Sequence, residues 1–264
     1  MDTDAVTALL RDVADEVVRP RFRSLEADEV DEKGPGDLVT VADREAEALI
    51  TEALRGAYPD AVVLGEEASA ADPALLERYA AAEHAFTVDP VDGTKNFVHG
   101  SPDYAVMAAE LQRGEVVRSW IWQPEHGLAF VAERGAGAFR NGERLGALTP
   151  DADPARWRVR ASRRSWVGRS FPGLQPIELS WVSCGIDYPQ LVTGGCDVLV
   201  YWSTKPWDHA PGTLLVTETG GVHATGGGSP YDPRREAADG LVAAVTPEVF
   251  DGVRQRWDAT ADWR

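Results

Sequence analysis

Apolar residues recur at Val6, Leu9, Leu10, Val13 and Val17, the three-and-four spacing that lays one stripe along a helix within residues 4–29. Pro20 is expected to end or kink that helix, because it lacks an N–H and clashes with the preceding turn. The polar, glycine-broken stretch "EADEVDEKGPGD" follows and reads as a solvated, mobile loop. A second helical stripe comes next, with Ala46, Leu49, Ile50, Ala53 and Leu54 on one face. Thr40 is placed to cap its start, and Gly56 and Pro59 mark its end.

From residue 61 the period shortens. "AVVL", "AFTV", "YAVMAAEL", "EVVRSWIW" and "GLAFVAE" are β-branched or aromatic runs separated by glycine, proline and charge, and they predict strands. Asn141-Gly142 within "ERGAGAFRNGERL" signals a hairpin. The proline- and aspartate-rich "LTPDADPARW" (148–157) is the candidate boundary between two halves, 1–148 and 149–264. Beyond it, strands at "RVRAS", "CDVLVYW" and "LVAAV" alternate with helical segments around 186–194, 208–219 and 246–257, an α/β pattern.

At 264 residues the chain is long enough for a substantial core, and its 44% hydrophobic and 26% charged content is ordinary for a globular protein. Charge changes the picture: 26 basic against 43 acidic residues leave a formal −17. Nucleic-acid and anionic-membrane partners need surplus Lys and Arg, so the expectation is no nucleic acid and no membrane. No run approaches the ~18–20 apolar residues of a membrane span. Cys184 and Cys196 are the only cysteines and have no zinc-type spacing, which fits reduced, buried thiols and a cytoplasmic location.

Candidate chemistry gathers in "FTVDPVDGTKNF". An apolar strand delivers Asp89, Pro90 breaks the ladder, and Asp92 follows just before Gly93. With the Val91 carbonyl between them, these hard oxygen donors suit Mg²⁺ better than zinc or iron. The Gly93 and Thr94 amides could meet a phosphate oxygen if a helix or nest starts there. On these residues alone, an Asp-Gly turn whose acids merely cap backbone amides is the other open reading.

The same stretch, as "VDPVDGTKNFVHG", resembles the D-P-[IVL]-D-G-T-x-N-F signature of the inositol monophosphatase family of metal-dependent phosphatases. "LGEEAS" (64–69), "DLVTVADREAE" (37–47), "GAGAFRNGERL" and "KPWDHAPGTLLVTETGG" (205–221) resemble further elements of that family, in family order from 37 to 221. The resemblance implies an αβαβα layered sandwich: paired helices on a mostly antiparallel amino-terminal sheet, then a smaller α/β half, with the site between them. It implies one Mg²⁺ held by Glu66, Asp89 and the Val91 carbonyl, and a second held by Asp89, Asp92 and Asp208. A weaker third site would use Glu66 through water, and Mn²⁺ is a possible substitute. Gly93 and Thr94 would grip phosphate, while Asp43, Thr94 and Glu66 would orient and deprotonate the attacking water. Lys33 matches a family lysine on a mobile loop if one gap is allowed.

Four acids, Glu66, Asp89, Asp92 and Asp208, repel one another without a cation. The metal-free site is therefore expected to have raised carboxylate pKa values and a less ordered 28–36 loop. Pro211 is tolerated only in a helix's first turn, which would put Asp208 at the amino end, where the dipole favours a carboxylate. His99, His126 and His209 lack mutual ligand spacing, and "TGGGS" (225–229) lacks the residues of a P-loop. Trp202 and Trp207 are expected to flank the site, and Glu67 to stand behind its neighbour Glu66.

Two departures bear on substrate. Lys95 stands where inositol monophosphatases usually carry Thr, and is common in the histidinol-phosphate and phosphoadenosine-phosphate branches. Tyr201 stands where the family's inositol-contacting glutamate falls, and would stack on a flat ring rather than accept from sugar hydroxyls. With Asp92 and Asp208, these residues complete the implied substrate contacts. The expected activity is Mg²⁺-dependent, lithium-sensitive hydrolysis of a small phosphate monoester, inositol- or sugar-phosphate-like, by a protein that is commonly a homodimer in this family. Alternatives are a histidinol-phosphate phosphatase or nucleotide 3′-phosphatase, and, in another class, a non-catalytic regulatory binding protein.

Overall fold

The computed structural model describes residues 1–257. Helix α1 (Thr3–Val13) starts where the Asp2 carboxylate accepts from the Ala5 amide, and it continues through a π turn (Ala14–Val18) to a 3-10 turn around Pro20. Helix α2 (Val41–Ala57) opens on a capping box. The Thr40 hydroxyl accepts from the first-turn amides, and Asp43 accepts from the Thr40 amide at 2.8 Å. Val6, Leu10, Val13 and Val17 of the first segment pack with Ala46, Ile50 and Leu54 of α2. Leu49, expected on that face, is 39% exposed and lies at the edge of the stripe.

Between these helices the expected mobile loop is instead an antiparallel hairpin, β1 (Val30–Gly34) and β2 (Asp37–Thr40), with Val30 opposite Thr40. Its strands are short and mostly polar, so hydropathy could not announce them. What fixes it is an ion pair to a distant helix, described below.

The larger sheet runs β3-β4-β5-β6-β7-β8-β9. Its strands are Val62–Gly65, His84–Asp92, Ala105–Gln112, Glu115–Gln123, Leu128–Glu133, Gly137–Arg140 and Glu143–Arg144. Only β3 and β4 are parallel, and helices α3 (Glu66–Ala71) and α4 (Ala74–Ala81) make that crossover. The sheet is buried on both faces, which is why its central strands read as nearly unbroken apolar runs. Val106, Ala108, Trp120 and Trp122 face α1 and α2, while Met107, Ala109 and Ile121 face the other way. The predicted Asn141-Gly142 turn closes β8 to β9 with both residues at positive φ.

On the far face lie α6 (Cys184–Val192) and α7 (Pro206–Glu218), then a second sheet ordered β11-β10-β12-β14-β13, then α8 (Pro247–Trp257). These strands are β10 (Val159–Ala161), β11 (Glu178–Leu179), β12 (Val198–Tyr201), β13 (Val222–Thr225) and β14 (Leu241–Ala244). The result is the layered sandwich, with helices, sheet, helices, sheet and a helix in succession. Among the described residues no helix is long and apolar enough to cross a membrane.

Helix α7 begins two residues before the expected start, at Pro206, which supplies a first-turn proline of its own. Asp208 is still in the first turn, but Pro211 falls beyond it and deprives the helix of one N–H.

Candidate functional site

Strand β4 carries Asp89 inward and then loses register with β5 between Asp89 and Asp92, the bulge that Pro90 enforces. Gly93 follows in the left-handed region at φ +86°, and helix α5 (Thr94–Val98) starts at once. A side chain at Gly93 would be strained, and its Cβ would come 2.9 Å from the Ser183 Cβ. The turn therefore re-aims Asp92 and presents Thr94 beside Asp89.

One oxygen from each of Asp89, Asp92 and Asp208 lies within 4.8 Å of the others. Asp89 and Asp92 are buried, and the Asp89 Oδ1 has no hydrogen-bond partner. An orphaned carboxylate oxygen beside two further acids is what a hard divalent cation satisfies, so the donor set fits Mg²⁺. Burial first, and then the charges of Glu66, Asp92 and Asp208, push the Asp89 carboxyl far above its ordinary value. Asp208 rises likewise, from burial and then from Asp92 and Glu66. Raised pKa values are thus found as expected.

Glu66 is the first residue of α3, and Glu47 holds that helix end in place by accepting from the Glu67 and Ala68 amides at 2.7 and 2.8 Å. Burial pushes Glu66 up to about 7, against the pull of Lys33. The Lys33 ammonium lies 2.6 Å from Glu66 and 2.8 Å from Glu67. It ties the hairpin to these acids. Glu67 faces Lys33, and among the described residues it is not part of the three-acid group.

Thr94 donates its one hydroxyl proton either to the Val91 carbonyl at 3.0 Å or to Asp43 Oδ1 at 3.2 Å. Asp43 does not line the cleft; it stands behind Thr94. Burial, opposed by the Thr40 hydrogen bonds, pushes its pKa up to about 6.

Asp92 is held from ninety residues away. Its carboxylate accepts from the Ser183 hydroxyl, from the Cys184 amide at 3.1 Å and from the Gly185 amide at 2.7 Å, at the start of α6. Gly185 permits this approach, since a Cβ there would meet the Ala105 Cβ at 2.4 Å. Sequence reasoning missed this clasp, and nothing local in "SCG" announces it. Cys184 is buried with the hydrophobic core, as expected, and also forms part of the site wall.

These residues converge on a cleft of about 500 Å³ whose lining includes Glu66, Asp89, Val91, Asp92, Gly93, Thr94, Lys95, Tyr201 and Asp208. A larger hollow of about 990 Å³ lies between α1 and β7–β8; Asp2, Asp4, Glu110 and Glu133 line it, but among the described residues no three of them converge as Asp89, Asp92 and Asp208 do. Lys95 leans toward the hairpin turn, its Nζ 3.7 Å from where a Cβ on Gly36 would stand. Neither Trp202 nor Trp207 lines the cleft; Trp202 is 38% exposed and packs edge-on against Trp166. Tyr201 does line it, but Tyr188 stacks on its ring at 5.6 Å and His209 meets it edge-on at 4.6 Å. The expected stacking face is therefore covered. His209 spends both ring nitrogens, on the Tyr188 hydroxyl and the Ser203 carbonyl, and burial lowers its pKa to about 4. Those two partners fix its ring, which also stands within 4.8 Å of ligand atoms of Cys184 and Asp208. His126 pairs with Asp103 and His99 with the Lys95 carbonyl.

Comparison with known proteins identifies the family and the fold. The model of the inositol monophosphatase family matches residues 2–259. The chain is 35% identical over 215 residues to an inositol-1-monophosphatase of Rhizobium meliloti, covering 76% of this chain and 77% of that one. It is 32% identical over 221 residues to the Nus factor SuhB of Pseudomonas aeruginosa, covering 79% and 80%. Its fold superimposes on an IMPase/NADP phosphatase solved with Mg²⁺ and phosphate, with a TM-score of 0.82 at 21% identity over 99% of this chain and 97% of that one. The chain belongs to the inositol monophosphatase family.

Proposed function

We propose that this protein is a Mg²⁺-dependent phosphomonoesterase that hydrolyses a small phosphorylated metabolite by direct attack of water. The observation that carries the reading is the orphaned, buried Asp89 oxygen within 4.8 Å of Asp92 and Asp208. Glu66, Asp89 and the Val91 carbonyl would hold one ion, and Asp89, Asp92 and Asp208 another. When bound, such ions neutralise the acids, polarise the phosphate and make water acidic enough to attack.

The chain's own residues do the rest. Glu66 and the Thr94 hydroxyl orient the water, and its proton passes through Thr94 to Asp43, which burial keeps near the pH range of an effective base. The Gly93 and Thr94 amides hold the phosphate, with Lys95 adding positive charge beside it. The new bond joins water oxygen to phosphorus, the ester oxygen leaves, and it is protonated from water in the open cleft. Lithium inhibition, Mn²⁺ substitution, a homodimer, and two halves meeting at the cleft near residue 148 belong to the same reading.

Phosphate release from a panel of monoesters, with and without Mg²⁺, tests it. Release that depends on Mg²⁺ and vanishes in Asp89→Ala is the expected result. Release that survives Asp89→Ala sinks the mechanism, and a phosphoaspartate intermediate sinks direct attack by water.

A second reading is favoured by the similarity to a protein named as a Nus factor: a binding protein whose partner, not its turnover, is its function. With a formal charge of −17, direct contact with RNA is electrostatically disfavoured, which points such a partner toward protein. Absence of turnover across the whole panel favours this second reading.

A further inference from the structure

The cleft has a second pole that phosphate chemistry leaves unused. Its wall there is built from Ser162, Asp187, Tyr201 and Ser203. Tyr201 closes β12 and Ser162 follows β10, so both stand at the carboxyl ends of adjacent parallel strands, where open α/β sheets hold their ligands.

Asp187, on α6, is only 1% exposed yet lines the cleft. Its Oδ1 accepts from the Trp181 amide at 2.7 Å, and its Oδ2 from the Tyr201 hydroxyl at 3.1 Å. The Ser180 hydroxyl is its other donor. All three donors are neutral, and among the described residues no Lys, Arg or His pairs with this carboxylate. A carboxylate offers about four acceptor positions, so one remains for a ligand. A buried carboxylate with only neutral partners is also one that a further donor stabilises.

The wall is fixed in advance. Tyr188 and His209 clamp the Tyr201 ring, and His209 donates to the Ser203 carbonyl at 3.0 Å. Tyr201 therefore cannot swing away from Asp187. Among the described residues, Lys95, on the phosphate-turn side, is the one Lys or Arg side chain in the cleft lining. A second phosphate at the Asp187 pole would meet a carboxylate, with no Lys or Arg in the lining there among the described residues.

We propose that Asp187, positioned by Tyr201, determines specificity by accepting a hydrogen bond from a hydroxyl or ammonium group on the leaving alcohol, and that it disfavours a second phosphate there. This rests on the phosphomonoesterase reading and narrows it to monophosphates of donor-bearing alcohols.

The test uses four matched esters on the Mg²⁺-loaded protein: cyclohexyl phosphate, inositol 1-phosphate, 4-aminocyclohexyl phosphate and cyclohexane-1,4-diyl bisphosphate. The expected kcat/KM for inositol 1-phosphate or the amino ester exceeds that for cyclohexyl phosphate by about tenfold or more, since a site built for a donor rejects the analogue lacking it. Which of the two leads distinguishes hydroxyl from ammonium recognition. The bisphosphate is expected to fall below cyclohexyl phosphate. In Asp187→Asn the ratio of best donor ester to cyclohexyl phosphate drops to within about twofold, whereas a merely structural role would lower both alike and leave the ratio standing. Tyr201→Phe should lower the same ratio, and it provides the readout if the Asn variant does not fold. A wild-type ratio near one, a preferred bisphosphate, or a ratio unmoved by both variants overturns the proposal while leaving the phosphatase intact. No Mg²⁺-dependent release from any of the four overturns both.

Discussion

The Lys33 ammonium lies 2.6 Å from the Glu66 carboxylate, so a side chain of the hairpin stands among the acids of the cleft. Burial raises Glu66 and Lys33 opposes that rise, so the lysine offsets part of the repulsion. A divalent ion using Glu66 must compete with it. Lys33→Met is expected to tighten divalent-ion binding by roughly threefold to tenfold in calorimetry, an increment of about 1 kcal/mol for one partly screened pair. It should also speed proteolytic cutting between residues 30 and 37. Weaker ion binding in the variant would show that Lys33 assists the cation.

Asp89→Asn should separate stability from activity. Asp89 is buried near four other acids, Glu66, Asp92, Asp208 and Asp43, and carries an unpartnered oxygen. Removing its charge is expected to stabilise the metal-free protein by about 1–3 kcal/mol at pH 8, while hydrolysis falls by about 10³-fold or more. Urea denaturation in chelator checks the first half and phosphate release the second.

Metal removal follows from the same crowding. Mg²⁺ at about a hundred times its dissociation constant should add about 2.7 kcal/mol of stability, read as a rise in melting temperature that chelator reverses. Asp208→Asn should abolish most of that rise. A melting temperature indifferent to Mg²⁺ in the wild type would leave the acids without their proposed ligand.

Thr94 and Asp43 are expected to act on turnover rather than binding. Thr94→Val and Asp43→Asn should each lower kcat by about 10²–10⁴-fold, the range for lost acid–base catalysis, with KM changing far less. A rise in KM at constant kcat would reassign the pair to substrate holding.

His209 gives a pH prediction of definite sign. Its folded pKa, about 4, is depressed below the ordinary 6.5 by burial. The unfolded chain therefore binds the proton first. The contribution of neutral His209 is whole above pH 6.5 and lost as pH falls toward 4, about 3 kcal/mol in all. Between pH 6.5 and 4 the wild type should lose that much more stability than His209→Gln, and the imidazole resonances should stay those of a neutral ring down to about pH 4.

Much of this architecture is legible in the sequence because two-faced burial writes itself as apolar strands and one-faced burial as helical stripes. The Asp89–Thr94 turn is legible for a different reason: a proline, two acids and a glycine leave few ways to fold. What could not be read depends on contacts between distant residues. The hairpin at Val30–Thr40 rests on Lys33 reaching Glu66, and Glu66 in turn rests on Glu47 capping α3. Tyr201, read as a platform for a flat ring, is capped by Tyr188 and turned toward Asp187. Neither partner is visible from the neighbourhood of residue 201.

The clasp of Asp92 by Ser183, Cys184 and Gly185 bears on how the protein is born. A ribosome delivers the acids of β4 long before it delivers the amides that hold Asp92, more than ninety residues later. A nascent chain paused midway thus carries its reactive groups without the grip that arranges them. Assembly of the cleft therefore waits until residues 183–185 have been made.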